Sequence, residues 1–198
     1  YESTHTDQGE YTSFDEYIDR MDEDQEEIYY LTGENREVVI KNPNLEYFQK
    51  NDIEVFFFDH PVDTMIANAL DEYKDYEFKS IEKEDIDLDK YDEEDEESLS
   101  GNALDSVIDL FEDTLGDRVK DVRASKRLVD SPATLVVGKD GMDPQMERMM
   151  KMMNQQGNVP QQKILEINPK HPIIKNLNKL NIAGNNQEQI EKTILQLY

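Results

Sequence analysis

The run Ile53-Glu54-Val55-Phe56-Phe57-Phe58 constrains the fold more than any other stretch of this chain. It is apolar on both faces for most of its length, and strand side chains alternate between faces, so such a segment needs cover on both sides. That requirement predicts an interior strand, parallel to its neighbours, with helices above and below. The flanking sequence supplies those elements. Ser13 and Glu16 have capping-box spacing, and Phe14, Tyr17, Ile18 and Met21 follow at helical intervals. Ile28-Tyr29-Tyr30-Leu31 reads as a strand closed by Thr32-Gly33, and Asn42-Pro43 opens a short helix carrying Leu45 and Phe48. After Asp59-His60-Pro61, an amphipathic helix runs through Val62, Met65, Ile66, Ala69, Leu70 and Tyr73. Strands and helices alternating in this way predict a small three-layer α/β/α unit over residues 1–81.

Charge sets the next boundary. The 198 residues carry a formal charge of −25, unevenly spread. Residues 1–118 hold 38 acids and 9 Lys/Arg, a net of −29, whereas residues 119–198 hold 8 acids and 12 Lys/Arg, a net of +4. A nucleic-acid partner is not expected, because its phosphates would meet a large like charge. Residues 82–97, EKEDIDLDKYDEEDEE, are nearly free of large apolar groups and read as a solvated acidic linker. Asp85, Asp87, Asp89 and Glu96 match the ligand spacing of a calcium loop, but Lys90 stands where that loop needs glycine. The solvated run is the better reading.

Residues 98–198 predict a mixed α+β unit. Leu104, Ile108, Phe111 and Leu115 line one helix face, which Gly116 closes. Strands are expected at 119–124, 133–137 and 163–167, with a turn over Gly138-Lys139-Asp140-Gly141. Two further helices follow, one with Ile173, Ile174, Leu177 and Leu180 stopping near Gly184, the other with Ile190, Ile194, Leu197 and Tyr198.

Chemistry is sparse. The chain has no cysteine, hence no disulfide and no thiolate ligand or nucleophile. Gly-rich phosphate loops and a nucleophile elbow are absent, and His5, His60 and His171 are far apart in sequence. No metal ion or other cofactor is expected. There is no signal peptide and no long apolar run, so a soluble cytoplasmic protein without a membrane partner is expected. The chain opens at Tyr1 rather than Met and ends within an apparent helix, as a piece of something longer would. The basic cluster Lys120, Arg123, Lys126 and Arg127 is expected to dock onto the acidic half of the same chain.

One segment resists a purely structural reading. MDPQMERMMKMMNQQGNVP, residues 142–160, holds six of the 8 methionines. Met142, Met146, Met149, Met150 and Met153 fall on one stripe of a helix that Asp143 can cap and Pro144 can start. Burying five such chains would contribute on the order of 10 kcal/mol, as much as a whole domain's net stability of about 5–15 kcal/mol. Yet the stripe lacks the Leu, Ile and Val that specify a unique core, and methionine re-packs easily against many shapes. Core packing and a permissive binding surface both remain open on these grounds.

KDVRASKRLVDSPATLVV, MERMM and KILEINPKHPIIK resemble the C-terminal domain of the heat shock protein 90 family of chaperones, its bacterial branch above all. STHT, SFDEYIDRM, IYYLTGENRE and IEVFFF resemble the end of that family's middle domain. The resemblance runs in order along nearly the whole chain. It implies an ATP-driven homodimer that binds non-native client proteins, with the nucleotide and its Mg held upstream of this chain, so that the chain itself is not expected to be an enzyme. It implies client contact through Met142, Met146, Met149 and Met150, and through Met65 and Asn68 of the earlier helix. It also implies a dimerisation bundle of which Ile190, Ile194 and Leu197 begin the first helix, its apolar face left partly uncovered by truncation. The alternatives are a purely structural dimer-assembly module with the methionine helix buried, and a small α/β enzyme using the crevice near Asp59 and His60.

Overall fold

The structure is a computed structural model and describes residues 1–69, 72–86, 88, 98–139, 141, 147, 163–184 and 186–198. The chain divides into two compact units, one built on Tyr1–Ile86 and the other on Asp87–Gly141 with Val159–Tyr198.

In the first unit, strands β1 (Glu2–Ser3), β2 (Glu27–Thr32), β3 (Phe56–Phe58), β4 (Glu72–Tyr73) and β5 (Tyr76–Ser80) form a sheet in the order β1-β3-β2-β5-β4. The central β3, β2 and β5 are parallel, and β1 and β4 add antiparallel edges. The expected interior strand is shorter than the apolar run, but Ile53 to Phe58 are all buried. Helix α1 (Phe14–Arg20) starts at the expected capping box, with Ser13 accepting from the Glu16 N–H and the Glu16 carboxylate accepting from Ser13. Its Tyr17 stacks on Phe56 at 4.6 Å between ring centres, over the face that also carries Ile28, Tyr30 and Phe58. The short α2 (Arg36–Val39) was not expected. Asn42 caps a single 3-10 turn, Pro43–Leu45, that runs into α3 (Glu46–Lys50). Phe48 of α3 meets Tyr29, which alternation places on the opposite face from Tyr30. Helices therefore cover both faces, as a double-sided apolar strand requires.

Two expectations fail here for local reasons. Helix α4 (Pro61–Ala69) does not reach Tyr73, which lies in β4 and pairs with Tyr76. Lys74 and Asp75, both at positive φ, make the tight turn between them. The hairpin seats the Tyr73 ring 5.3 Å from Phe14, a contact that helical periodicity does not reveal. The start of the acidic run, moreover, is tied down. Ile81 and Ile86 are buried, Glu82 accepts from Thr32 and Asn42, and Asp85 pairs with Lys79 at 2.7 Å.

In the second unit, β6 (Asp121–Ala124), β7 (Ala133–Val137) and β8 (Lys163–Ile167) form a sheet in the order β6-β8-β7, with β6 parallel and β7 antiparallel to β8. Helices α5 (Gly101–Leu115), α6 (Pro172–Ala183) and α7 (Gln187–Leu197) pack on one face. Gly116 ends α5 at φ 52° and Gly184 ends α6 in the left-handed region, conformations that glycine adopts without steric cost. The core joins Val107, Leu110, Phe111 and Leu115 to Val122, Leu165 and Ile167, and to Ile174, Leu177, Ile190 and Ile194. Leu165 and Ile167 point into it, so Glu166 between them points to the other face. There it accepts from Arg127 Nε (2.9 Å), Arg123 Nη2 (2.8 Å) and Ser125 Oγ (2.8 Å). Two members of the basic cluster, Arg123 and Arg127, thus find a carboxylate inside their own unit, Glu166, which lies opposite Arg123 in register. The chain as a whole is a mixed α and β protein. No helix among the described residues is long and apolar enough to cross a membrane.

Candidate functional site

The end of β3 and the start of α4 bring the first unit's chemistry together. Phe58 is fully buried and fixes the end of the strand, so Asp59 and His60 emerge at its carboxyl edge. Pro61 suits the first helical position, where no N–H is needed. Asp63 lies in the first turn, and its Oδ2 accepts from the His60 N–H at 3.0 Å, the return half of a capping box. The His60 Nδ1 lies 2.7 Å from Asp59 Oδ1 and 3.8 Å from Asp63 Oδ2. The hydrogen bond to Asp59 raises the imidazole above its ordinary value. Burial raises the Asp63 carboxyl, and the His60 N–H works against that. Burial, helped by the Asp63 charge, also pushes up the Tyr1 phenol.

These groups line a cavity of about 290 Å³, together with Tyr1, Glu2, Tyr11 and Phe57. The crevice considered for an enzyme therefore exists. Its lining holds an imidazole and three carboxylates but no serine or lysine, so it can bind or move a proton but offers no ready nucleophile of those types.

From this edge α4 presents an outward stripe. Val62 is 56% exposed and Met65 50%, and Ala69 continues the same side. Their spacing of three and four puts them on one helix face. Two large apolar side chains held in water on a helix whose Asp63 is buried form an exposed apolar patch. Asn68 belongs to α4, but its side chain lies outside the described residues, as do Met142, Met146, Met149 and Met150.

The residues assigned to the dimerisation helix sit differently from expectation. Ile190 and Ile194 are 1% and 0% exposed, and Leu197 packs partly buried beside them. The face expected to be partly uncovered is spent against α5, α6 and the sheet, because α7, following the helix stop at Gly184, closes its own unit's core. Leu195, at 41%, is the exposed apolar residue of α7, and Ile182, at 75%, that of the end of α6.

Asp63 and the buried pair Glu54 and Glu166 went unnoticed in the sequence. For Asp63 the signal was the spacing of three from His60 across a proline. For Glu54 and Glu166 it was a lone acid inside a run otherwise fit only for a core.

Comparison with known proteins bears on the whole chain. The family model described as Hsp90 protein matches residues 1–198. Chaperone protein HtpG of Chlorobium luteolum is 49% identical over 199 residues, covering 100% of this chain and 32% of that protein. Chaperone protein HtpG of Chlorobaculum tepidum is 46% identical over 200 residues, and that of Wolbachia pipientis wMel 40% over 192 residues, or 94% of this chain. The chain spans 32% of the length of the first two of these relatives.

Proposed function

The chain belongs to the Hsp90 family, and on that premise we propose that it forms the client-handling, C-terminal part of an ATP-dependent chaperone. The carrying observation is Met65, half exposed beside Val62 on the outward stripe of α4. An unbranched thioether in that position can re-pack against many unfolded sequences, as loose client selection requires. Asn68 and, in the methionine segment, Met142, Met146, Met149 and Met150 are the further client contacts that the family resemblance implies. ATP and Mg act elsewhere in the longer protein, a view supported by the small share of each relative that this chain covers.

Homodimerisation belongs to the same proposal, with α7 leading into the interface. Ile190 and Ile194 then act from beneath, holding α7 on its unit, while outward residues such as Leu195 face the partner.

The test is a titration of a labelled, permanently unfolded model protein against the chain, Met65→Ser, and the triple variant Met146→Ser/Met149→Ser/Met150→Ser. Each variant should keep its circular dichroism spectrum and lose affinity, Met65→Ser by a few-fold and the triple variant by more. Unchanged affinity in both folded variants would overturn the client reading. Unfolding of the triple variant alone would return those methionines to a core.

A further inference from the structure

We infer that Asp59, His60 and Asp63 form a binding site for one divalent transition-metal ion, Zn²⁺ foremost. A ligand atom from each of the three lies within 4.8 Å of the other two. Donors around such an ion sit at about 2.0–2.2 Å from it, and hence roughly 3–4 Å from one another. The His60–Asp59 and His60–Asp63 separations of 2.7 and 3.8 Å bracket that spacing, so small side-chain rotations suffice to admit an ion.

The site is also held in advance. The His60 N–H fixes the rotamer of Asp63, which is only 7% exposed, and the buried Phe58 anchors the strand end that carries Asp59. His60 itself is largely exposed, and the cavity beside it has room for the water ligands that complete a three-ligand site. Charge favours a cation. The start of a helix contributes about half a positive charge, which two carboxylates outweigh, and the chain's −25 adds to the attraction. Imidazole with two carboxylates selects zinc-like ions, whereas calcium requires six to eight oxygens that this edge lacks. An ion here would join the end of β3 to the first turn of α4, the helix that carries Met65. None of this depends on the chaperone reading.

His5 supplies an internal control, since it lies 3.4 Å from Asp52 and 3.9 Å from Glu54 without three ligand atoms converging. The experiment titrates metal-free chain with Zn²⁺ alone by calorimetry, and with Co²⁺ followed by its visible absorption. One ion per chain is expected. His60→Gln and Asp63→Asn should each weaken binding at least about tenfold, as loss of a ligand must if loss of an outer-shell partner already costs 10–100-fold. His5→Gln should leave binding unchanged. Asparagine can still accept from the His60 N–H, and His60 lies at the surface, so both variants should keep the parent's circular dichroism. Binding that survives His60→Gln, that disappears with His5→Gln instead, or that never saturates would overturn the site.

Discussion

Glu54 in the first unit and Glu166 in the second are buried to nearly the same degree, at 6% and 3% exposure, but their cations differ. Glu54 is held by Arg20, bonding through Nε at 3.0 Å and Nη2 at 2.9 Å, and by the Ser3 hydroxyl at 2.6 Å. The Arg20 side chain is still 41% exposed and keeps much of its hydration. Glu166 is held by Arg127, whose side chain is only 1% exposed, and by Arg123, at 33%. A buried pair with one wet member can lose its carboxylate and leave a cation that water satisfies. A pair dry on both sides loses more, because breaking it takes from a buried charge the countercharge that offset its desolvation. The two cores follow the same division. The first unit packs aromatic rings around α1, with Tyr17 donating to the Glu54 carbonyl and accepting from the Tyr29 N–H, so polar contacts thread through its interior. The core of the second is almost wholly aliphatic, and its buried charges stand on the far face of the sheet.

The largest effect is therefore expected from Glu166→Gln. Removing the Glu166 charge from beside the buried Arg127 guanidinium should cost about 3–5 kcal/mol, read by urea unfolding. A loss below about 1 kcal/mol would mean that other groups satisfy the guanidinium and that the contrast is wrong. Glu54→Gln should cost less, about 1–3 kcal/mol, because Arg20 can turn to solvent. Equal losses in the two variants would break the comparison. Ser13→Ala removes the cap of α1 and should cost about 1 kcal/mol, confined to the first unit's transition if the units unfold separately.

The smallest effect is one of pH. Burial works to raise the Glu2 carboxyl, but the Gly9 N–H and the Arg36 guanidinium at 2.7 Å outweigh it and hold the group below its ordinary value. Its folded value is depressed, so its contribution is fully present above the unfolded value near 4.5 and disappears as the pH falls through the folded value. Melting temperatures measured between pH 6 and pH 3 should fall less steeply in Arg36→Gln than in the parent. Parallel curves would remove Glu2 from the acid response.

Much of the architecture was written locally. The capping box at Ser13 and Glu16, the Asn42-Pro43 helix start, the glycine stops at Gly116 and Gly184 and the strand KILEI all depend on a few neighbouring residues, and all appear where periodicity and cap chemistry place them. The double-sided run at Phe56–Phe58 also settled that helices must cover both faces. The client role of Met65 came from resemblance; periodicity groups it with Val62 and Ala69 on one apolar face, which the structure leaves exposed.

Tertiary structure decided what depends on partners distant along the chain. Tyr73 left the helix because a hairpin could set it against Phe14, 59 positions earlier. Ile190 and Ile194 have the same periodicity whether α7 covers its own core or a partner's, and only the packing of α5, α6 and the sheet around them spends that face internally. Arg127 and Glu166, 39 residues apart, meet because β6 and β8 pair in parallel register. Periodicity records which side of an element must be covered. It carries no record of what covers it, because burial rewards any apolar surface alike, whereas a charge needs one particular partner at one distance.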